Sequence, residues 1–324
     1  MSETASPLTL DRKERKAEQY ARLIKRAGAL PAIPTVVVHP CDHTSLAGAI
    51  DAAEANLIVP LLVGPEPRIR AVAEEHGLDI SPFEITNAAH SQDAARRGAE
   101  LLREARGEIL MKGSLHTDEL MAAVVRSDAG LRTERRISHV FAMDVATYPK
   151  PLFITDAAIN IFPDLQTKRD IVQNAVDFLR ALGVEQPLVA ILSAIETVNP
   201  KIPSTVEAAA LCKMADRGQI TGALLDGPLA LDNAISPEAA RIKGIDSPVA
   251  GQADILMVPD LEAGNMLAKN LSFLSDALAA GIVLGARVPI ILTSRADSLQ
   301  TRMASCAVAA IYAHALRASK PIAS

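Results

Sequence analysis

A chain of 324 residues that is 49% apolar can bury a large core, and its length fits two domains better than one, so general disorder is excluded. Aromatic residues make up only 3% and Trp is absent, which leaves Ala, Leu, Ile and Val to build closely packed helices and parallel strands. A net charge of -5, with no basic block interleaved with aromatics, argues against a nucleic-acid surface, although it leaves room for a basic pocket that binds a phosphorylated small molecule.

Neither a signal peptide nor a membrane span is expected. Ser2 to Leu10 has no apolar stretch, and Asp11 to Lys16 is of mixed charge. The most apolar region, Ala277 to Leu292, is broken by Gly281, Gly285, Arg287 and Pro289, short of the roughly 20 residues a spanning helix needs. Cys41, Cys212 and Cys306 are widely spaced without a CxxC pair, so neither a disulfide framework nor a zinc site is expected. A cytoplasmic protein without a membrane partner is expected.

Along the chain, residues 8 to 28 form a charged segment with Leu10, Tyr20, Leu23 and Ile24 on one narrow face, which predicts a helix at the edge of the first domain. Thr35 to His39 reads as a strand, Ser45 to Asn56 as a helix, Leu57 to Val63 as a strand and Pro67 to His76 as a helix. The alternation continues with a helix over 91–106, a strand over 109–111, a helix after Thr117 and a strand over 137–143. Such alternation predicts right-handed βαβ units and mostly parallel sheets.

Two prolines at Tyr148 to Pro151 precede a second start, Leu152 to Thr155, and a long helix over 165–182. Strands are then expected over 188–192, 220–225 and 255–258, and helices over 204–216, 237–242 and 264–279. The last strand, from Arg287, and the helix after Leu299 are expected to return to the first domain. The expected division is therefore residues 1–144 with 287–324, where 1–30 are the charged N-terminal helix, against 145–286. A dinucleotide fingerprint and a P-loop are both missing.

Five segments place polar residues where strands end, the edge at which α/β sheets bind ligands. In Ile291 to Ser298, Ser294 offers a hydroxyl, Arg295 a fork of donors and Asp297 a base. The alternative is that Ser294 or Asp297 caps the following helix. In Lys112-Gly-Ser-Leu-His-Thr117, Gly113 permits close backbone approach, while Ser114 and Thr117 can donate to a phosphate. The competing reading makes Thr117 an N-cap. Asp156 and Asn160 are turn residues or ligands, and Asp226 to Asp232 places carboxylates past a strand beside a Gly-Pro turn. Gly264 and Asn265 are expected to open a helix, with Lys269 one turn along the same face. His39 and His43 are four apart but separated by Pro40 with no helix signal, so no metal is expected.

In this order, Lys112 to Thr117, Thr155 to Asn160, Pro259 to Lys269 and Thr293 to Asp297 resemble the phosphate acetyltransferase and phosphate butyryltransferase family, from about residue 30 to the C-terminus. The chain looks most similar to the phosphate acetyltransferase domain of proteins in which that domain follows an enoyl-CoA hydratase. Only a short charged helix precedes it here, so hydratase activity is not expected.

The resemblance implies two α/β domains around a cleft, similar to isocitrate and isopropylmalate dehydrogenases, and a homodimer formed through the second domain. It implies the reaction of acetyl-CoA and phosphate to acetyl phosphate and CoA, reversibly, by direct transfer in a ternary complex and without a cofactor or metal. Such a site needs an oxyanion donor, cations for phosphate and a base for the thiol. Ser294 then stabilises the oxyanion and Arg295 the phosphate. Gly113, Ser114, His116 and Thr117 bind phosphate, and Asn160, Asn265 and Lys269 complete substrate binding.

Three departures stand out. The family's Asp seven residues after the serine is Thr301, so Asp297 takes the part of thiol base. An Arg expected after the Thr117 turn is Ala122, with Arg126 one turn away, and a Cys after Asp156 is Ala157. These changes point toward butyryl or propionyl transfer as the second reading. A non-catalytic acyl-CoA or acyl-phosphate binding protein is the reading from another class.

Overall fold

A computed structural model describes residues 20–292 and 297–319. The chain divides into two compact units, residues 1–135 with 280–324, and residues 136–279.

In the first unit the described chain opens with helix α1 (20–28). Then follow β1 (Ile33–Val38), α2 (His43–Glu54), β2 (Ile58–Gly64), α3 (Glu66–His76), β3 (Glu84–Asn87), α4 (Ser91–Arg103), β4 (Ile109–Lys112) and α5 (Thr117–Val125). The second unit contains β5 (Ser138–Asp144), β6 (Leu152–Thr155), α6 (Leu165–Ala181), β7 (Leu188–Leu192), α7 (Pro203–Asp216) and β8 (Leu224–Leu229). It continues with α8 (Leu231–Ile235), α9 (Pro237–Ile242), β9 (Ile255–Met257) and α10 (Leu261–Leu274). The chain then returns through β10 (Leu278–Leu284), β11 (Ile290–Ile291) and α11 (Leu299–Ser319).

The first unit's strands run in the order β3-β2-β1-β4-β11-β10. All neighbours are parallel except β10 with β11. Val36, Val37 and Val38 of β1 and Ile109, Leu110 and Met111 of β4 are at most 1% exposed, because helices cover both faces and leave no solvated side to alternate with. The expected return of the last strand is seen directly: Ile290 and Ile291 pair in parallel with Leu110 and Met111.

In the second unit the order is β5-β6-β9-β7-β8, antiparallel at β5–β6 and parallel elsewhere. Its core gathers Met143, Leu152, Ile154, Ala190, Leu256 and Val258. The parallel strands bring the ends of β6, β9, β7 and β8 to one edge of this sheet.

Several expectations change. β5 belongs to the second unit and most of β10 to the first, so the boundaries fall earlier than 144 and 286. The strand expected at 220–225 lies at Leu224–Leu229, which puts Asp226 inside the strand rather than past it. Helix α10 begins at Leu261, where the Asp260 side chain accepts from Ala263 N at 2.9 Å. Gly264 N already donates to the Asp260 carbonyl, so Gly264 and Asn265 do not open the helix. The cap of α11 is Ser298, whose hydroxyl accepts from Thr301 N at 3.1 Å. Asp297 is therefore not the cap.

Candidate active site

The first unit builds its site where β1 and β4 end side by side. Gly113 N donates to the Val38 carbonyl at 2.8 Å and Ser114 N to the His39 carbonyl at 2.9 Å, which continues the β1–β4 ladder into the turn. A Cβ on Gly113 would lie 2.5 Å from both the His39 and Val38 carbonyl oxygens. The close approach that requires glycine is thus to β1 itself, not to a phosphate. Beneath the turn, buried Lys112 donates from Nζ to the carbonyls of Gly113 and Leu115, each at 3.2 Å.

His39 occupies the left-handed region with φ of 56°, which costs a residue with a side chain on the order of 1–3 kcal/mol. The surroundings over-determine it. Its N–H donates to the Val63 carbonyl at 2.6 Å, and its carbonyl accepts from Cys41 N at 2.8 Å, Ser114 N at 2.9 Å and Ser114 Oγ at 2.8 Å. The ring Nδ1 lies 2.9 Å from the same Ser114 Oγ. With the one hydroxyl hydrogen placed on the carbonyl, Nδ1 is the donor, the ring is the Nδ1–H tautomer and Nε2 is the basic nitrogen.

A cavity of about 480 Å³ opens here, lined by His39, Asp42, Arg68, Ser91, His116 and Glu119 among others. Burial, then the charge of Arg68, holds the His39 ring below its ordinary pKa, against the opposing pull of Glu119 and Asp42. Asp42 is tied to α2, its Oδ1 accepting from Ser45 N at 2.8 Å. Glu119 is tied as well, accepting from His116 N at 3.2 Å and Ser91 Oγ at 3.1 Å. Its carboxylate therefore sits at the N-terminus of α5 and favours that helix electrostatically. Cys41, buried beside the cavity, has its thiol pushed up to about 11 by desolvation, which keeps it unreactive.

Of the residues expected to bind phosphate, Gly113 and Ser114 spend their N–H groups on β1, while the His116 and Thr117 side chains are exposed. Residues 293–296, with Ser294 and Arg295, lie outside the described residues. Asp297 is described and partly exposed, its carbonyl accepting from Arg302 Nη1. Thr301 cannot serve as a base, and its hydroxyl accepts from Ser298 Oγ at 3.2 Å. Arg126 ends α5 and pairs with Asp128 through Nε at 2.9 Å and Nη2 at 2.7 Å, at the opposite end of the helix from Thr117.

The second unit holds a separate cluster after β6. The Asp156 carboxylate accepts from the N–H groups of Ala158, Ile159 and Asn160 at 3.0, 3.1 and 3.1 Å and from Asn160 Nδ2 at 2.6 Å. Burial raises its pKa, and these donors pull it back. Asn160 Nδ2 also donates to the Ile137 carbonyl at 2.9 Å, so only its oxygen is available to a ligand. Asn265 joins from α10, Nδ2 to the Ala157 carbonyl at 3.2 Å. A Cβ on Gly264 would meet Val258 Cγ2 at 2.7 Å and Ala157 Cβ at 3.0 Å, so buried Ala157 faces the helix rather than a ligand. Lys269 is exposed one turn along.

Other sequence candidates separate. His43 stacks on His76 with ring centroids 4.2 Å apart while His39 binds Ser114. Among the described residues no group of three or more His, Cys, Asp or Glu could hold a metal ion. Asp232 pairs with Lys243 at 3.3 Å. Sequence reasoning missed His39 as a site residue, together with Arg68 and Lys112; the one available signal was a histidine at the end of β1 in the first βα turn.

Residues 90–310 match the family model described as phosphate acetyl/butaryl transferase. A phosphate acetyltransferase from Rhizobium meliloti is 68% identical over 93% of this chain and 96% of its own. One from Rickettsia prowazekii is 57% identical over 91% of this chain and 85% of its own. The crystal structure of a branched-chain phosphotransacylase from Enterococcus faecalis superposes with a TM-score of 0.77 at 30% identity, covering 87% of this chain and 99% of that one.

Proposed function

The chain belongs to the phosphate acetyl/butaryl transferase family, and from that premise we propose that it exchanges phosphate for the thiol of coenzyme A at an acetyl carbonyl. The enzyme is a phosphate acyltransferase, running acetyl-CoA and phosphate to acetyl phosphate and CoA and back. The observation that carries the acetyl assignment is the 68% identity to a phosphate acetyltransferase over 93% of the chain.

Transfer is direct, in a ternary complex. Ser294 donates to the tetrahedral oxyanion and Arg295 neutralises the phosphate, which are the terms that lower the barrier of an acyl exchange. Asp297 is the base for the thiol. Phosphate lies at the end of β4, against the side chains of Thr117 and His116 and within reach of Arg68. The Asn160 and Asn265 cluster and Lys269 contribute to binding the remainder of the substrates.

The substrates are acetyl-CoA, phosphate and their products, with no cofactor or metal required. No helix among the described residues is long and apolar enough to cross a membrane, and Cys41, Cys212 and Cys306 are free thiols, in keeping with a cytoplasmic protein. A homodimer formed through the second unit is supported by its bare apolar surface: Ile161, Phe162, Met266, Phe273 and Leu274 are 61 to 82% exposed.

Longer or branched acyl groups are the second reading, favoured by the branched-chain relative at 30% identity. One methylene is worth only about 1–3 kcal/mol of discrimination, so acetyl-, propionyl- and butyryl-CoA are compared by kcat/KM. The test is thiol release from each thioester with phosphate, for the wild type and for Ser294→Ala. Release fastest from acetyl-CoA and lost in Ser294→Ala supports the proposal; CoA binding with no release from any thioester would make the chain a binding protein.

A further inference from the structure

Acyl exchange moves a proton as well as an acyl group. Hydrogen phosphate enters carrying one, acetyl phosphate leaves as a dianion without it, and the CoA sulfur leaves with it. In the other direction, phosphate expelled without a proton would depart as the trianion, a far stronger base than any side chain in the site. A group beside the phosphate that takes its proton on attack and returns it on cleavage, distinct from the group that serves the thiol, lowers both barriers.

We propose that His39 is that group. Its Nε2 accepts the proton of hydrogen phosphate as a phosphate oxygen bonds to the acyl carbon and the carbon–sulfur bond breaks, the protonated Asp297 carboxyl gives its proton to the departing sulfur, and both groups reset by exchange with solvent. In reverse, Asp297 takes the thiol proton and Nε2 returns its own to the phosphate expelled when the thiolate cleaves acetyl phosphate. The proposal rests on the acyltransferase reading and on phosphate lying at the end of β4.

Three observations carry it. Ser114 Oγ lies 2.8 Å from the His39 carbonyl and 2.9 Å from Nδ1; with the hydroxyl hydrogen placed on the carbonyl, Nδ1 is the protonated nitrogen. The basic nitrogen is then Nε2, on a ring that lines a cavity of about 480 Å³ together with Arg68, whose guanidinium can hold the dianion the ring is to deprotonate. Finally, the backbone of His39 is held at φ 56° by contacts from Val63, Cys41 and Ser114, a strained placement of the kind that over-determined sites maintain.

The electrostatics agree. Arg68 from α3 opposes protonation of the ring, Glu119 from α5 and Asp42 before α2 favour it, and burial dominates to lower the pKa. The Lys112 ammonium braces the same turn from below, and His116 and Ser91 complete the wall. An imidazole neutral at pH 7 is a base ready to act, and a bound dianion shifts it back toward protonation as the proton moves.

The deciding variant is His39→Asn, whose amide N–H can replace Nδ1–H toward Ser114 while Nε2 is lost. His39→Gly is made beside it, because glycine adopts φ of 56° without strain and leaves space for added imidazole. The rate of acetyl phosphate formation from acetyl-CoA and inorganic phosphate is measured from pH 5 to 9, with circular dichroism and CoA binding as controls; these pH limits are a working range around the ordinary His value of about 6.5. The expected result is a folded His39→Asn protein that binds CoA normally, loses at least about 100-fold in kcat, and lacks the limb on which the wild-type rate rises with pH through the His39 pKa. Imidazole restores turnover to His39→Gly. A kcat within about threefold of wild type, or a larger loss with the limb intact, overturns the proposal while leaving the acyltransferase reading standing. A wild-type protein that makes no acetyl phosphate overturns both.

Discussion

Ser114 Oγ donates to the His39 carbonyl at 2.8 Å and lies 2.9 Å from His39 Nδ1, so one hydroxyl contacts both the backbone and the ring of a residue 75 positions away. Replacing it with Ala leaves the buried Nδ1 without its partner, at a cost of about 1–3 kcal/mol. Ser114→Ala is expected to lower the urea midpoint by a corresponding amount and to reduce kcat more than the stability loss explains, because the ring can then take the wrong tautomer. Equal kcat with a lowered midpoint would show the hydroxyl to be structural only.

Gly113 is the second support of this geometry. A methyl group there would lie 2.5 Å from two carbonyl oxygens of β1, and backbone cannot yield as a flexible side chain can. Gly113→Ala is expected to destabilise the protein by about 1–3 kcal/mol and to displace His39. Chemical denaturation alongside the KM for phosphate checks both effects.

His139 supplies an acid-sensitive element in the second unit. It is 2% exposed, edge-on to Phe141 with centroids 4.3 Å apart, and its Nδ1 has no partner among the described residues. Burial lowers its pKa to about 3. The unfolded chain, with a His pKa near 6.5, binds the proton first, so this contribution is fully present above about pH 6.5. It is lost as pH falls toward 3, at up to about 1.4 kcal/mol per unit. His139→Phe removes the orphaned nitrogen and is expected to flatten the acid side of the stability profile without loss at pH 7. Parallel acid limbs for wild type and variant would contradict this.

On α10, Met266 and Phe273 are 65% and 82% exposed and seven residues apart, hence on one face. If that face joins two copies, Phe273→Glu buries a charge in the interface. Sedimentation velocity is expected to show a dimer for the wild type and a monomer for the variant; a wild-type monomer would contradict the interface.

Much of this organisation is legible in the residues. The continuous Val and Ile runs of β1 and β4, and the polar turn after Lys112, announce buried parallel strands with a site at their ends. The ends of Leu224–Leu229 and Leu278–Leu284 were harder to read. The first carries Asp-Gly-Pro inside the strand, where local chemistry says turn, and the second begins Leu-Ala-Ala-Gly, which continues the helical period of α10. Tertiary pairing decides both. β3 is short and largely unburied at a sheet edge, so it leaves little hydrophobic pattern to find. Arg68 and His39 are 29 positions apart and line one cavity, and the left-handed turn at His39 is a conformation no periodicity encodes. The choice of Ser298 over Asp297 as the cap of α11 shifts a helix start by one residue, below what sequence patterns resolve.

Phosphorus NMR of the purified protein with acetyl-CoA and inorganic phosphate, read against thiol titration of the same sample, follows both products of acetyl transfer to phosphate at once. Acetyl transfer gives an acetyl phosphate resonance that grows in step with free CoA and disappears when excess CoA is added. Free CoA without acetyl phosphate would mean hydrolysis of the thioester, and no change in either signal would mean that the chain does not transfer acetyl groups to phosphate.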